Sequence, residues 1–525
     1  MMTRISWLCI ANCLLLTAGS LVLIGCQTNL SYEPETRVES TSLAGHPGTR
    51  IRDLSDSMLA DHQQRDGFVL LSEGLDALVA RVALIDAADV SLDLQYYIFA
   101  NDTAGQIILA KTLSAADRGV RVRLLVDDLG TPVSQPWVTQ LAQHPNIEIR
   151  IFNPVAARSG ISRIFQQMTE FSRANHRMHN KLLVADGMMA VTGGRNIADA
   201  YFSNDEILFQ DIDIVCVGPV VKQAADSFDT YWNHVASVPV DFILPLEGAR
   251  SSLSDLRAYS DNLLESVGQS DYGEALKETS LVRRVQSGEL SFDWGRAQLY
   301  ADPPDKATRH KEVDRSQYLV TQLKQVLERS EDRLEISSAY FVPGKQGVAF
   351  LTGLEEKGVE VSVLTNALSS TDVAIVHSGY SKYREPLLEG GVELWELRTP
   401  EDRQTPQKWL SSDSQPSLHA KAFVIDDDRV VIGSVNLDGR STIQNTEIAV
   451  YIESPALNAE LAATFAEWTR PELAWKVVLD EENGLQWRAT DDQDNLIVLS
   501  DDPGSSGWQR FKIWLLSWLP IEKQI

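Results

Sequence analysis

The feature that most constrains this chain is that it repeats itself. The segments 90–99, 119–126, 147–152 and 179–181 return as 334–342, 358–365, 392–397 and 419–421, at offsets between 236 and 245 residues. Overlooking such a period misassigns the whole fold. In each copy an alternating apolar segment that starts at a glycine, Gly119 or Gly358, follows a helical pattern over 106–118 or 347–357. Apolar residues there recur at spacings of three and four. Strands alternating with helices predict an α/β fold: an α/β sandwich with a largely parallel or mixed sheet in each half, the two halves packed as a pseudo-symmetric pair. Residues 51–245 form the first half and 307–525 the second; the stretch 246–306 has no repeat partner and reads as a helical connector with irregular parts.

The first 25 residues carry one basic side chain, Arg4, then an apolar run from Ile5 to Ile24. That order is the pattern of a secretory signal. Leu23, Ile24, Gly25 and Cys26 look like a bacterial lipobox, in which Cys26 is lipidated and becomes the mature N-terminus. An uncleaved membrane anchor is the alternative, because the run is nearly long enough to span. Either reading puts the remaining chain outside the cytosol on a membrane, lipid-anchored and facing the periplasm. Gln27 after the cysteine favours the outer over the inner membrane, and residues 26–50 read as a tether. With a net charge of −26 the chain is a poor candidate for a general nucleic-acid binder. Its four cysteines, three of them within the first 26 residues, are too few for a disulfide framework.

The chemistry-bearing residues sit on the repeat. His179, Lys181, Asp186 and Asn196 match His419, Lys421, Asp426 and Asn436, with His to Lys two residues, His to Asp seven and His to Asn seventeen in both copies. On a strand, residues i and i+2 share a face, so each His and Lys can meet one ligand. Glycines at 193, 194 and 433 let the backbone approach a bound group closely. Two imidazoles, two ammoniums and two amides around one centre suit a phosphodiester. Arg177, Gly194, Arg195 and Ser434 are the candidates for holding substrate. An imidazole in such a role needs a carboxylate to set its tautomer. Superposing the later strands places Asp211 on Glu447 and Asp213 on Ala449, so Asp211 and Glu447 are assigned as the orienting carboxylates. Asp186 and Asp426, beyond an apolar strand, are assigned structural hydrogen bonds.

These motifs resemble the paired HKD signature of the phospholipase D superfamily, over nearly the whole chain that follows the signal. The flanking residues 174–181, 193–202 and 364–366, with Tyr380, Tyr383 and Arg384, are most similar to the bacterial cardiolipin synthase branch, particularly its C-type enzymes. The resemblance implies two phospholipase D-like halves with the active site at their interface, and a two-step transfer. One histidine, taken as His179, attacks phosphorus to form a phosphohistidine; the other, His419, protonates the departing alcohol and deprotonates the incoming one. Lys181, Lys421, Asn196 and Asn436 would hold the non-bridging oxygens. The implied reaction is phosphatidyl transfer from phosphatidylethanolamine or phosphatidylglycerol to phosphatidylglycerol, with phospholipids and a membrane as partners. A phospholipase D-type hydrolase or exported nuclease is the alternative, and a silent envelope scaffold is a third reading. No metal-ligand cluster, P-loop or dinucleotide motif stands in the sequence, so no cofactor is expected.

Secondary features have plain readings beside functional ones. Arg158, Arg163, Arg173 and Arg177 precede Lys181 with a single acid, Glu170, which reads as a headgroup funnel or as an amphipathic helix. His176 and His377 are taken as hydrogen-bonded pocket residues. The tail from Trp508 to Leu519, with three tryptophans, reads as a membrane-interfacial helix or a docked terminal helix. Cys216 is expected to be a buried free thiol.

Overall fold

The computed structural model describes residues 38–131, 136–154, 176–205, 207–244, 252–308, 312–371, 374–399, 415–491, 493–505 and 507. The signal segment, Cys26, the basic run from Arg158 to Arg173 and the aromatic tail lie outside the described residues. The first half contributes β1 (Asp66–Leu71), β2 (Ser91–Tyr96), β3 (Arg121–Asp127), β4 (Ile147–Phe152), β5 (Leu182–Ala185), β6 (Met189–Gly193), β7 (Ile207–Gln210), β8 (Asp213–Val217) and β9 (Ser237–Pro239). The second contributes β10 (Asp293–Ala301), β11 (Arg333–Ser338), β12 (Glu360–Asn366), β13 (Glu393–Leu397), β14 (Gln415–Leu418), β15 (Lys421–Ile425), β16 (Arg429–Gly433), β17 (Ile448–Glu453) and β18 (Ala474–Leu479), followed by β19 (Leu485–Thr490) and β20 (Leu496–Leu499).

The pairings run β9-β4-β3-β2-β5-β6-β8-β1 in the first half and β18-β13-β12-β11-β15-β16-β17-β10 in the second, the same mixed order twice. In each half the glycine-initiated strand pairs in parallel with both neighbours, β3 with β2 and β4, and β12 with β11 and β13. Helices Thr103–Asp117 and Gly344–Glu355 supply the crossovers that parallel pairing requires. Antiparallel pairing of β1 with β10, Phe68 opposite Asp293, fuses the two halves into one sheet.

That seam corrects the reading of 246–306 as helical connector. Helices Leu253–Gly268, Asp271–Lys277 and Ser280–Ser287 do fill its first part, but β10 is the second-half counterpart of β1. Residues 38–45, expected as tether, instead lie against the first half. The buried guanidiniums of Arg150 and Arg123 donate to Val38 O at 2.8 Å and Ser40 O at 2.9 Å, acceptors that the sheet itself does not give them.

A hydrophobic cluster shared by both halves occupies the centre, with Phe68, Leu182, Ile214 and Trp232 from the first and Ala422, Ile432, Val450 and Phe465 from the second. Helices Pro219–Trp232 and Pro455–Trp468 pack into it, each opening on the proline that suits a first helical position. Gly218 has no side chain to cap the first of these, and Asp66 Oδ1 of β1 accepts from Val220 N at 2.6 Å in its place. Trp232 is wholly buried, stacks 5.7 Å from Phe228 and carries the Arg150 guanidinium 4.3 Å above its ring. Trp232→Ala is therefore expected to cost about 3–5 kcal/mol of unfolding free energy. Because its cluster spans both halves, urea unfolding followed by fluorescence and by circular dichroism should remain one transition; separate midpoints for the two halves would contradict the shared core.

Candidate active site

Each histidine is placed by a short contact between the halves. In parallel pairing β14 lies on β7, with Leu418 opposite Gln210, and an isolated parallel bridge sets Met178 opposite Thr446. His419 N donates to Gln210 O at 2.8 Å and His179 N to Thr446 O at 2.9 Å. In both places the residue before the histidine faces the residue before the carboxylate of the opposite half. The next residues therefore meet: His179 Nδ1 lies 2.9 Å from Glu447 Oε2, and His419 Nδ1 lies 2.6 Å from Asp211 Oδ2. His179 to Lys181 precede β5 rather than lying in it, because the backbone at His179 is paired with the other half instead of its own sheet.

The four groups are buried, His179 being the most exposed at 9%. Burial pushes His179 down to about 4 against the opposing pull of Glu447. Burial, joined by the charges of Lys421, Lys181 and His179, pushes His419 well below its usual range. Glu447 would be raised by burial, but His179, Lys181 and the Ser434 hydroxyl outweigh that and hold it at about 2. Burial raises Asp211 despite Lys421 and Arg195. Both imidazoles are neutral in the resting site, and at His179 an Nδ1–H given to Glu447 leaves the Nε2 lone pair free to act. The lysines act across the halves, since each also depresses the other half's histidine.

Lys181 Nζ donates to His179 O at 2.6 Å, and Lys421 Nζ sits 2.8 Å from His419 Nδ1 and also donates to His419 O. The asparagines are pinned by their amide oxygens, Asn196 Oδ1 to Ile98 N at 3.2 Å and Asn436 Oδ1 to Tyr340 N at 3.3 Å. Sequence reasoning missed two neighbours. Tyr201 OH accepts from Asn196 Nδ2 at 2.8 Å and lies 3.4 Å from His419 Nε2, while Ser441 Oγ donates to Glu447 Oε1 at 2.8 Å. Each stands five residues after its asparagine, at the 240-residue offset of the motif, and that register was the signal available. The Tyr97 and Phe209 rings, 5.3 Å from His179 and 5.1 Å from His419, were also not singled out.

Asp186 accepts from Val90 N at 2.8 Å, Ser91 N at 2.9 Å and Asp89 N at 3.0 Å; Asp426 accepts from Asp332 N at 2.8 Å, Glu331 N at 3.0 Å and Arg333 N at 3.2 Å. Each pins the entry to the strand beside its own motif. Of the substrate-binding candidates, Gly194 abuts Asp211, where a Cβ would stand 2.0 Å from Oδ1, and Ser434 Oγ donates to Glu447. Arg195 is directed elsewhere: it donates to Leu71 O at 2.8 Å and Ser72 O at 2.7 Å and pairs with Asp213 at 3.5 Å, fully buried. Arg177 is likewise buried, against Asp127 and Asn153 O. His176 is buried with its carbonyl on Asn153 Nδ2, His377 meets Asp502 and Arg384, and Cys216 is a buried free thiol. Among the described residues no cluster of three or more His, Cys, Asp or Glu side chains could hold a metal ion.

Comparison with known proteins matches the family model described as cardiolipin synthase, PLD-like domain, to residues 82–232 and 323–469, one segment in each half. The chain is 37% identical over 469 residues to cardiolipin synthase C of Escherichia coli K12, covering 89% of this chain and 97% of that one. It is 26% identical over 431 residues to cardiolipin synthase A of Pseudomonas putida KT2440, covering 80% and 72%. The crystal structure of phosphatidylserine synthase from Haemophilus influenzae Rd KW20 shares the fold with a TM-score of 0.50 at 15% identity, over 79% of this chain and 91% of that one.

Two measurements follow from the geometry. Asp186→Ala should cost about 2–3 kcal/mol in urea unfolding, because three amides lose their acceptor. Asp186→Asn, which keeps an acceptor and tolerates the φ of 51°, should lose less; equal losses would contradict the assignment. The second concerns acid. His179 at about 4 in the fold against 6.5 ordinarily means that the folded state binds fewer protons between those values, so stability is present above 6.5 and lost as pH falls towards 4. Relative to His179→Gln, the wild-type chain should lose stability across that window with a slope of up to about 1.4 kcal/mol per pH unit. Parallel stability curves would contradict it.

Proposed function

We propose that this chain, which belongs to the family of PLD-like domains of cardiolipin synthase, makes cardiolipin by moving a phosphatidyl group from phosphatidylethanolamine or phosphatidylglycerol onto the glycerol hydroxyl of phosphatidylglycerol. The observation that carries the reading is the crossed pairing of two buried, neutral histidines with carboxylates of opposite halves, in a site that also holds both motif lysines. Its 37% identity to a cardiolipin synthase C over most of the chain supports the product class.

In the first step His179 Nε2 attacks phosphorus and the bond to the departing headgroup alcohol breaks; His419, neutral in the resting site, takes up a proton at Nε2 when the phosphodiester anion binds and gives it to that alcohol. The phosphorylated imidazole carries positive charge, and Glu447, held ionised by His179, Lys181 and Ser434, stands at its Nδ1 to offset it. In the second step His419 takes the proton of the incoming hydroxyl, whose oxygen attacks phosphorus and returns His179 to its neutral form. Lys181, Lys421, Asn196 and Asn436 donate hydrogen bonds to the non-bridging oxygens. Anchoring through a lipidated Cys26 at the periplasmic face of the outer membrane would keep the site beside its lipids.

The test is incubation of the purified, detergent-solubilised chain with labelled phosphatidylethanolamine and phosphatidylglycerol, reading products by mass. Cardiolipin is expected, with at least a 1000-fold loss on the order of that seen for catalytic histidines in His179→Ala or His419→Ala. A phosphatidylated chain should be trapped by acid quench during turnover of the wild type and be absent from His179→Ala. Phosphatidic acid as the sole product would make the chain a hydrolase, and no lipid product would overturn the reading.

A further inference from the structure

Glu447 is held by a buried ion pair that lies outside both motifs. Asp302 follows β10, in the stretch that has no repeat partner in the sequence, and its Oδ2 accepts from Glu447 N at 3.0 Å while its own N donates to Glu447 O at 3.0 Å. The two residues thus extend the ladder between β10 and β17 by one clamped pair. Asp302 Oδ1 accepts from Leu319 N at 2.9 Å, so the carboxylate cannot swing away without losing that bond too.

Lys306, itself fully buried, reaches the same carboxylate at 2.7 Å and also donates to Ser441 O at 2.8 Å. Ser441 Oγ is in turn the donor on Glu447 Oε1 at 2.8 Å. One ammonium therefore fixes both the backbone of Glu447, through Asp302, and the hydroxyl that sets its side chain, through Ser441. Asp211 has no such device in its register. Leu71 faces Asp213 where Tyr300 faces Ala449, so Asp302 takes the place of Glu73, and Asp211 Oδ1 is instead held by the neighbouring Ile212 N at 2.8 Å.

We propose that Asp302 and Lys306 are positioning residues for the His179–Glu447 pair, setting the tautomer and aim of that histidine alone. The inference rests on the transfer chemistry proposed above only for its effect on rate; the geometric claim is separate. A buried charge left without its partner is costly, so Lys306→Met can unfold for reasons unrelated to the site. The neutral double variant Asp302→Asn, Lys306→Met removes both charges and keeps an acceptor for Glu447 N.

The experiment records the low-field Nδ1 proton resonances of the full-length chain by NMR, assigned by their loss in His179→Ala and His419→Ala, together with lipid-transfer kinetics. In Lys306→Met, or in the double variant if the single one does not fold, the His179 resonance should shift or broaden while that of His419 stays in place. The kcat should fall roughly 10- to 100-fold with KM little changed. An unmoved His179 resonance, or equal movement of both, would overturn the proposal. Failure of the wild-type chain to transfer any phosphatidyl group would overturn the reaction instead, and the resonance pattern would still decide the clamp.

Discussion

The structure depends on two crossed imidazole–carboxylate contacts, His179 with Glu447 and His419 with Asp211. Neither half contains a complete pair of its own. A buried carboxylate without a donor, or a buried imidazole without a fixed tautomer, would cost several kcal/mol and do no chemistry. Joining the halves removes both penalties together. The fused sheet at β1 and β10, the shared core around Trp232 and the β7–β14 ladder are the means by which the four side chains reach one place.

Within that symmetry the two pairs are not equivalent. Glu447 is reached by the hydroxyls of Ser434 and Ser441 and stays ionised. Asp211, a shorter side chain, comes up against Gly194, where any Cβ would collide with it, and its carboxyl is pushed upward by burial. Exchanging Gly for Ser and Asp for Glu between copies gives one histidine an ionised counter-charge and sets the other beside a carboxyl that burial raises. The two-step transfer proposed for this site would use that difference, with one imidazole carrying phosphorus and the other only shuttling a proton.

Much of this was legible in the repeat. The offset placed His179 on His419 and Asn196 on Asn436, and the strand alignment picked Asp211 and Glu447 over Asp213 because only the former recurs as an acid. Which histidine meets which carboxylate was not legible, because pairing between halves leaves no mark in the spacing within either. Asp302 and Lys306 escaped for a related reason: β10 pairs with β1 across the seam, and its alternation in a stretch without a repeat partner was too weak to separate from a connector. Arg195 looked like a phosphate ligand by composition, yet its guanidinium satisfies the carbonyls of Leu71 and Ser72, which no local pattern announces.

A double-mutant cycle on unfolding free energy tests the crossed pairing most directly. His179→Gln combined with Glu447→Gln should show a coupling of about 1–3 kcal/mol, and His419→Gln with Asp211→Asn a similar one, whereas His179→Gln with Asp211→Asn, and His419→Gln with Glu447→Gln, should be additive within about 0.5 kcal/mol. Strong coupling inside a half and additivity across the halves would contradict the account.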